Sequence, residues 1–67
     1  MISARNQLKG IVKSVKLGEV MAEVVITVGD AEVVSTITRG SAEALNLKAG
    51  DEVRAVIKAT EVMVAKD

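Results

Sequence analysis

Histidine, cysteine, proline and aromatic residues are all missing from this 67-residue chain. Each absence closes off a branch of chemistry. Without cysteine there is no disulfide framework and no thiolate metal site. Without histidine the commonest general base and the commonest transition-metal ligand are gone. Without aromatic rings there is no platform on which the bases of a single-stranded nucleic acid could stack. An excess of one charge is lacking too: nine Lys and Arg balance nine Asp and Glu, for a formal net charge of zero. A broad attraction to nucleic acid or to an anionic membrane needs a surplus of basic residues, so any anion site here must be local. No apolar run approaches the roughly 18 residues needed to cross a bilayer. The opening stretch contains Ser3, Arg5, Asn6 and Gln7 and does not read as a secretory signal. These absences leave the expectation of a soluble, cytoplasmic protein with one domain over residues 1–67.

What is present is β-branched. Twelve Val, five Ile and four Thr favour strands over helices. Ala4 to Leu17 reads as a long first strand, bent or bulged at Gly10, and Lys16-Leu17-Gly18-Glu19 as a turn. Val20, Ala22, Val24, Ile26 and Val28 alternate with Met21, Glu23, Val25 and Thr27, the period of a half-buried strand. Gly29-Asp30 carries the type II′ hairpin signal, a glycine at the first loop position, and Val33 to Thr38 returns. Arg39 to Gly50 is the one helical candidate, with Ser41 expected as its N-cap, Glu43 in its first turn, and Leu45 and Leu47 facing the core. Lys48-Ala49-Gly50-Asp51 ends it. Val53, Ala55 and Ile57 alternate with Arg54, Val56 and Lys58 in a fourth strand, and Thr60 to Ala65 supplies a fifth, with Val62 and Val64 on one face. The fold expected is all-β: an OB-type five-stranded small barrel with one short helix between strands 3 and 4.

Several of these strands are apolar on both faces, as at Val24 and Val25, Val33 and Val34, and Val56 against Val53 and Ala55. Scattered exposed valines are normal. A domain below about 70 residues, however, usually relies on disulfides, a structural metal or oligomerisation. With the first two nearly excluded, the second apolar face reads as a subunit interface.

The polar residues that could carry chemistry are mostly donors. Ser3-Ala4-Arg5-Asn6 opens the chain with a hydroxyl, a guanidinium and a carboxamide, Thr38-Arg39-Gly40-Ser41 leads into the short helix, and Lys58 sits between Ile57 and Ala59. Hydroxyls, cations, an amide and backbone N–H groups suit a small oxyanion held by charge-assisted hydrogen bonds. Taken singly, each has a structural reading: Arg5 as a solvated charge, Ser41 as a cap, Lys58 as a guard on an edge strand. The acids Glu19, Glu23, Asp30, Glu32, Asp51 and Glu52 fall at turns and outward positions, with no calcium-loop spacing. Gly29-Asp30 and Gly50-Asp51 are turns and lack the pattern of a phosphate-binding loop.

Taken together, Ser-Ala-Arg-Asn-Gln-Leu at 3 to 8 with Gly10, Ile37-Thr38 with Ser41, Leu45-x-Leu47-x-x-Gly50-x-x-Val53, and Ile57-Lys58-Ala59-x-x-Val62 resemble the Mop family of small molybdate-binding domains. The resemblance covers essentially the whole chain, which is similar to a free-standing molbindin. It implies an OB-type barrel whose subunits share strands, a cytoplasmic homohexamer described as a trimer of dimers, and oxyanion sites between subunits. By that resemblance Ser3, Arg5, Thr38, Ser41 and Lys58 match the residues that bind molybdate, with the Ala59 backbone N–H as a further donor. Asn6 is a candidate for this site or for a second class of intersubunit site.

The resemblance implies storage and homeostasis of molybdate, with tungstate binding comparably, no metal coordinated directly by protein atoms, and no catalysis. Sulfate would be rejected by size and phosphate by its proton. The alternative is a dimeric swapped-hairpin DNA-binding module, because Leu45-Asn46-Leu47-Lys48-Ala49-Gly50-Asp51-Glu52-Val53 also resembles the Leu-x-x-Gly-Asp-x-Val segment of such regulators. Neutral net charge counts against it.

Overall fold

A computed structural model describes residues 5–67, in the order β1 (Asn6–Leu17), β2 (Met21–Val28), β3 (Ala31–Thr38), α1 (Arg39–Ala44) and β4 (Glu52–Ile57), followed by a 3-10 turn at Ala59–Glu61. The strands form one antiparallel sheet in the order β3-β2-β1-β4, which leaves β3 and β4 as its edges. The long β1 pairs with β4 through its first half and with β2 through its second. Only a strand bent across two partners can do this, and the bend comes from a bulge between Val12 and Ser14.

That bulge corrects the expectation of a kink at Gly10. Lys13 is the extra residue, and Gly10 serves a different purpose: a Cβ there would lie 2.5 Å from the Thr27 carbonyl oxygen and 2.7 Å from Ile26 Cγ2. Hydrogen alone fits where β1 passes closest over β2. The bulge is also where Val12 N–H meets the Asp51 carbonyl at 2.9 Å and the Val12 carbonyl accepts from Gly50 N–H at 2.8 Å. Those two bonds dock the turn ahead of β4 onto the middle of β1.

The alternation in β2 behaves as its period requires. Ala22, Val24 and Ile26 are buried, and Val24 and Ile26 join Val12 and Ala55 in a core against which Val15, Val28, Val33, Ile37, Leu47 and Val53 pack partly buried. With Ala42, the buried side chains are three alanines, two valines and one isoleucine, so the core is thin. Val20 falls outside β2, in the turn closed by Gly18 N–H to the Met21 carbonyl. The hairpin at Gly29-Asp30 forms as expected, with positive φ at Gly29 and not at Asp30, the type II′ pattern.

At the helix the expected cap is corrected. Thr38, not Ser41, is the N-cap: its extended backbone ends β3, and its hydroxyl accepts from Ser41 N–H. Strand and helix therefore meet with no linker, Glu43 falls in the last turn, and Ala42 is the buried helix residue. Leu47 packs on the core whereas Leu45 stays 67% exposed. Asn46, at φ 51°, and Gly50, at φ 95°, take the left-handed conformations that turn the chain from helix to β4.

The fold class is all-β and OB-like, but the fifth strand expected over Thr60 to Ala65 does not form. β4 ends at Ile57, so Lys58 lies past it, and Glu61 N–H bonds to the Lys58 carbonyl to swing the chain away. The physical reason is lack of a partner: Val62 and Val64 alternate like strand residues, yet no edge of this chain's own sheet pairs with them among the described residues.

Candidate functional site: two donor groups at opposite ends of one strand

The residues picked out from the sequence fall into two groups. The first is Thr38 with Ser41. Thr38 Oγ1 and Ser41 Oγ share a hydrogen bond at 2.7 Å, and Thr38 Oγ1 accepts from Ser41 N–H at 3.1 Å, so cap and helix are tied by two bonds. Arg39 fastens this group to the neighbouring turn: its N–H donates to the Val20 carbonyl at 2.7 Å, and its guanidinium reaches the Gly18 carbonyl at 3.2 Å and Glu43 Oε1 at 3.6 Å. Thr38 pairs with Met21, and Ala22 with Leu17, which places the group at the C-terminal end of β1.

The second group is Arg5, Asn6, Lys58 and Ala59. Asn6 pairs with Ile57 on β4, so the residues just outside that pair, Arg5 on one strand and Lys58-Ala59 on the other, gather at the N-terminal end of β1. Arg5, Lys58 and Ala59 are exposed and Asn6 is half-buried. Neither cation has a carboxylate within ion-pair distance among the described residues. Lys58 is the residue before the 3-10 turn, whose first N–H is that of Ala59. Ser3 lies outside the described residues.

These groups do not meet within one chain. β1 has 12 residues, and at about 3.3 Å each the path along it is roughly 36 Å, comparable to the 35 Å long axis of the molecule. Two concavities lie elsewhere. One, of about 730 Å³, is an open groove along Lys9, Ile11, Thr27, Glu52 and Arg54. The other, of about 170 Å³, lies on the thin core between Val12, Ile37, Leu45 and Val53. None of the expected site residues lines either one.

Sequence reading missed the part played by Arg39, which anchors the Thr38 group to the β1–β2 turn. The signal available was its place directly after the strand's last threonine, where strand and helix share no spare residue to absorb motion.

With this geometry in hand, the comparison with known proteins is informative. Residues 2–64 match the TOBE domain, and the chain belongs to that family. Molybdenum-pterin-binding protein 3 of Clostridium pasteurianum is 55% identical over 64 residues, 94% of each chain. A solved molybdate-binding protein from Sporomusa ovata superposes with a TM-score of 0.94 at 44% identity, over 98% of each chain. The cytoplasmic molybdate-binding protein ModG, solved with molybdate bound, superposes with a TM-score of 0.83 at 49% identity, over 87% of this chain and 42% of ModG. The Mop resemblance and the OB-type fold both stand.

Proposed function

We propose that this chain binds molybdate, and tungstate comparably, at sites completed by two copies of itself. Ser3, Arg5, Asn6, Lys58 and the Ala59 N–H come from one copy, and Thr38 and Ser41 from the next. The observation that carries this reading is the separation of the two groups to opposite ends of β1. One chain cannot close a site around a tetrahedral dianion with residues so placed, whereas a neighbour's opposite end can. The similarity to molybdate-binding proteins supports the ligand.

The chemistry is that of binding alone. A desolvated dianion is prohibitive unless compensated, and the Arg5 guanidinium and Lys58 ammonium neutralise it while hydroxyls and N–H groups orient its oxygens. No proton or electron needs to move, so the protein is not an enzyme. Cavity size then selects molybdate over the smaller sulfate, and a site made only of donors offers nothing to the proton of hydrogen phosphate.

The assembly is a homohexamer, a trimer of dimers, of one-domain chains spanning 1–67, serving cytoplasmic storage of the oxyanion. Val34 at 60% exposure and Val56 at 45% supply apolar contact surface for it. No helix among the described residues is long and apolar enough to cross a membrane.

The test is calorimetric titration with molybdate, tungstate and sulfate, combined with subunit mixing. Chains carrying Arg5→Ala and chains carrying Ser41→Ala each lose tight binding. When the two are dissociated, mixed and reassembled, about a quarter of the sites regain two native halves. Binding by the native protein with no recovery on mixing would put both halves in one chain and overturn the intersubunit site. A sedimentation mass near 7.0 kDa would overturn the assembly.

A further inference from the structure

Lys9 and Arg54 stand directly opposite each other where β1 pairs with β4, and both line the open groove of about 730 Å³. Like charges placed opposite one another across a sheet destabilise it. Neither of these has a carboxylate within ion-pair distance among the described residues. Protection of a sheet edge accounts for a cation on β4, but Lys9 is on β1, which lies between β2 and β4 and has no edge to guard. Arg54 is also held in place. Its Nη1 donates to Gln7 Oε1 at 2.6 Å, which ties the guanidinium to β1. Glu52 lines the same groove one rung further along β4, opposite Ile11. Two residues along a strand set its Cα roughly 7 Å from that of Arg54.

From this arrangement we infer that the groove is a separate binding site for a small organic phosphomonoester, its phosphoryl group between Lys9 and Arg54 and a hydroxyl or amino group of its organic part against Glu52. An anion between the two cations turns their repulsion into attraction, and guanidinium and ammonium are the side chains that best hold a phosphate. The volume falls within the range of about 300–1,000 Å³ usual for small-molecule sites and exceeds what one tetrahedral oxyanion fills. The carboxylate makes the difference in kind. The residues assigned to molybdate are all donors and none of them lines this groove, whereas Glu52 accepts. A bare oxyanion meets Glu52 only as a like charge; a ligand with its own O–H or N–H a few ångströms from the phosphate uses all three groups. With no aromatic ring in the chain, flat bases gain no stacking partner, so the polar groups of the ligand decide its fit.

Titration calorimetry of the assembled protein with glucose 6-phosphate, inorganic phosphate and glucose tests this. Glucose 6-phosphate should bind about tenfold or more tightly than inorganic phosphate, and glucose should give no heat. Lys9→Gln and Arg54→Gln should each weaken glucose 6-phosphate about tenfold or more, the effect of losing a hydrogen bond to a charged group, while leaving molybdate affinity within about twofold of native. Both variants should fold, because each removes a repulsion, and a denaturant midpoint for ligand-free Lys9→Gln no lower than native checks that. Glu52→Ala should bring the two phosphates within about threefold of each other. No binding of glucose 6-phosphate at millimolar concentration would overturn the site. So would native affinity in Lys9→Gln, or a loss in Arg5→Ala as large as in Lys9→Gln, which would put the phosphate among the molybdate residues. Inorganic phosphate binding as tightly as glucose 6-phosphate to the native protein would overturn the organic ligand.

Discussion

The two ends of β1 carry complementary halves of one chemistry but are built differently. At the Thr38 end strand, cap, helix and the β1–β2 turn are joined by four hydrogen bonds of 2.7 to 3.2 Å through Thr38, Arg39 and Ser41. At the Lys58 end the cations stand in solvent beside the last β1–β4 pair, with no ion-pair partner among the described residues. One half is neutral and fixed, the other charged and waiting. Fixed neutral donors give shape, and so discrimination between oxyanions. Unpaired cations give attraction, and they keep their hydration until a dianion replaces it.

The largest effect that would break this contrast is on affinity at the charged end. Arg5→Ala or Lys58→Ala should weaken molybdate binding by about 2–4 kcal/mol, some 30- to 1000-fold, since truncation leaves a desolvated dianion undercompensated. The melting temperature of the ligand-free protein should barely move, because both side chains are exposed and neither has an ion-pair partner among the described residues. Calorimetric titration and a thermal melt on the same sample check both halves of the statement. A variant that lost stability along with affinity would show the charged end to be structural.

Next in size is the strand that separates the ends. A methyl group at position 10 would meet the Thr27 carbonyl at 2.5 Å and two core methyl groups within 3 Å. Gly10→Ala should therefore destabilise by about 1–3 kcal/mol through overpacking, read as a lower denaturant midpoint. Its effect on affinity should follow stability and favour neither end. Loss of binding in a protein that remained fully stable would mean that β1 transmits more than spacing.

Gly10 also shows how much of the fold was legible from sequence. A glycine inside a strand pattern announces something, but bend and close approach look alike along a chain, and here the bend sits three residues later at Lys13, which looks like any outward polar residue. The β2 alternation and the Gly29-Asp30 hairpin were readable because both are local: period and turn chemistry need no distant partner. Thr60 to Ala65 has the same alternation and forms no strand, because the 3-10 turn at Ala59–Glu61 leads the chain away from the sheet and pairing depends on an edge within reach, which periodicity does not encode.

The site was legible in the same uneven way. Its residue types pointed to an oxyanion, and the resemblance grouped them. Neither revealed that Thr38 rather than Ser41 caps the helix, since both are good caps three residues apart and only the point where β3 stops decides between them. Nor did spacing reveal that the groups lie at opposite ends of β1, a consequence of β1 pairing with two different strands.

At the fixed end, losing the cap should lower stability more than losing either cation. Thr38→Val should destabilise the ligand-free protein by about 1 kcal/mol, and Thr38→Ser by only a few tenths, measured by chemical denaturation. If Thr38→Val left stability unchanged, the strand–helix junction would be held by Arg39 alone, and the two ends would be less different than their bonding implies.

The smallest effect separates the kinds of bond that hold the fixed end. Arg39 donates to two carbonyls of the β1–β2 turn and also forms an i,i+4 ion pair with Glu43 at 3.6 Å, its side chain 42% exposed and that of Glu43 58%. An exposed pair at this distance contributes at most about 0.5 kcal/mol and is screened by salt. Glu43→Gln should therefore leave stability and molybdate affinity within about twofold of native at moderate salt, whereas Arg39→Ala, which also removes the guanidinium bond to Gly18, should weaken binding several-fold by loosening Ser41. Equal effects from the two substitutions would mean that the ion pair, rather than the link to the turn, orients the donor. The fixed end would then depend on ionic strength, and the difference between the two ends of β1 would disappear in salt.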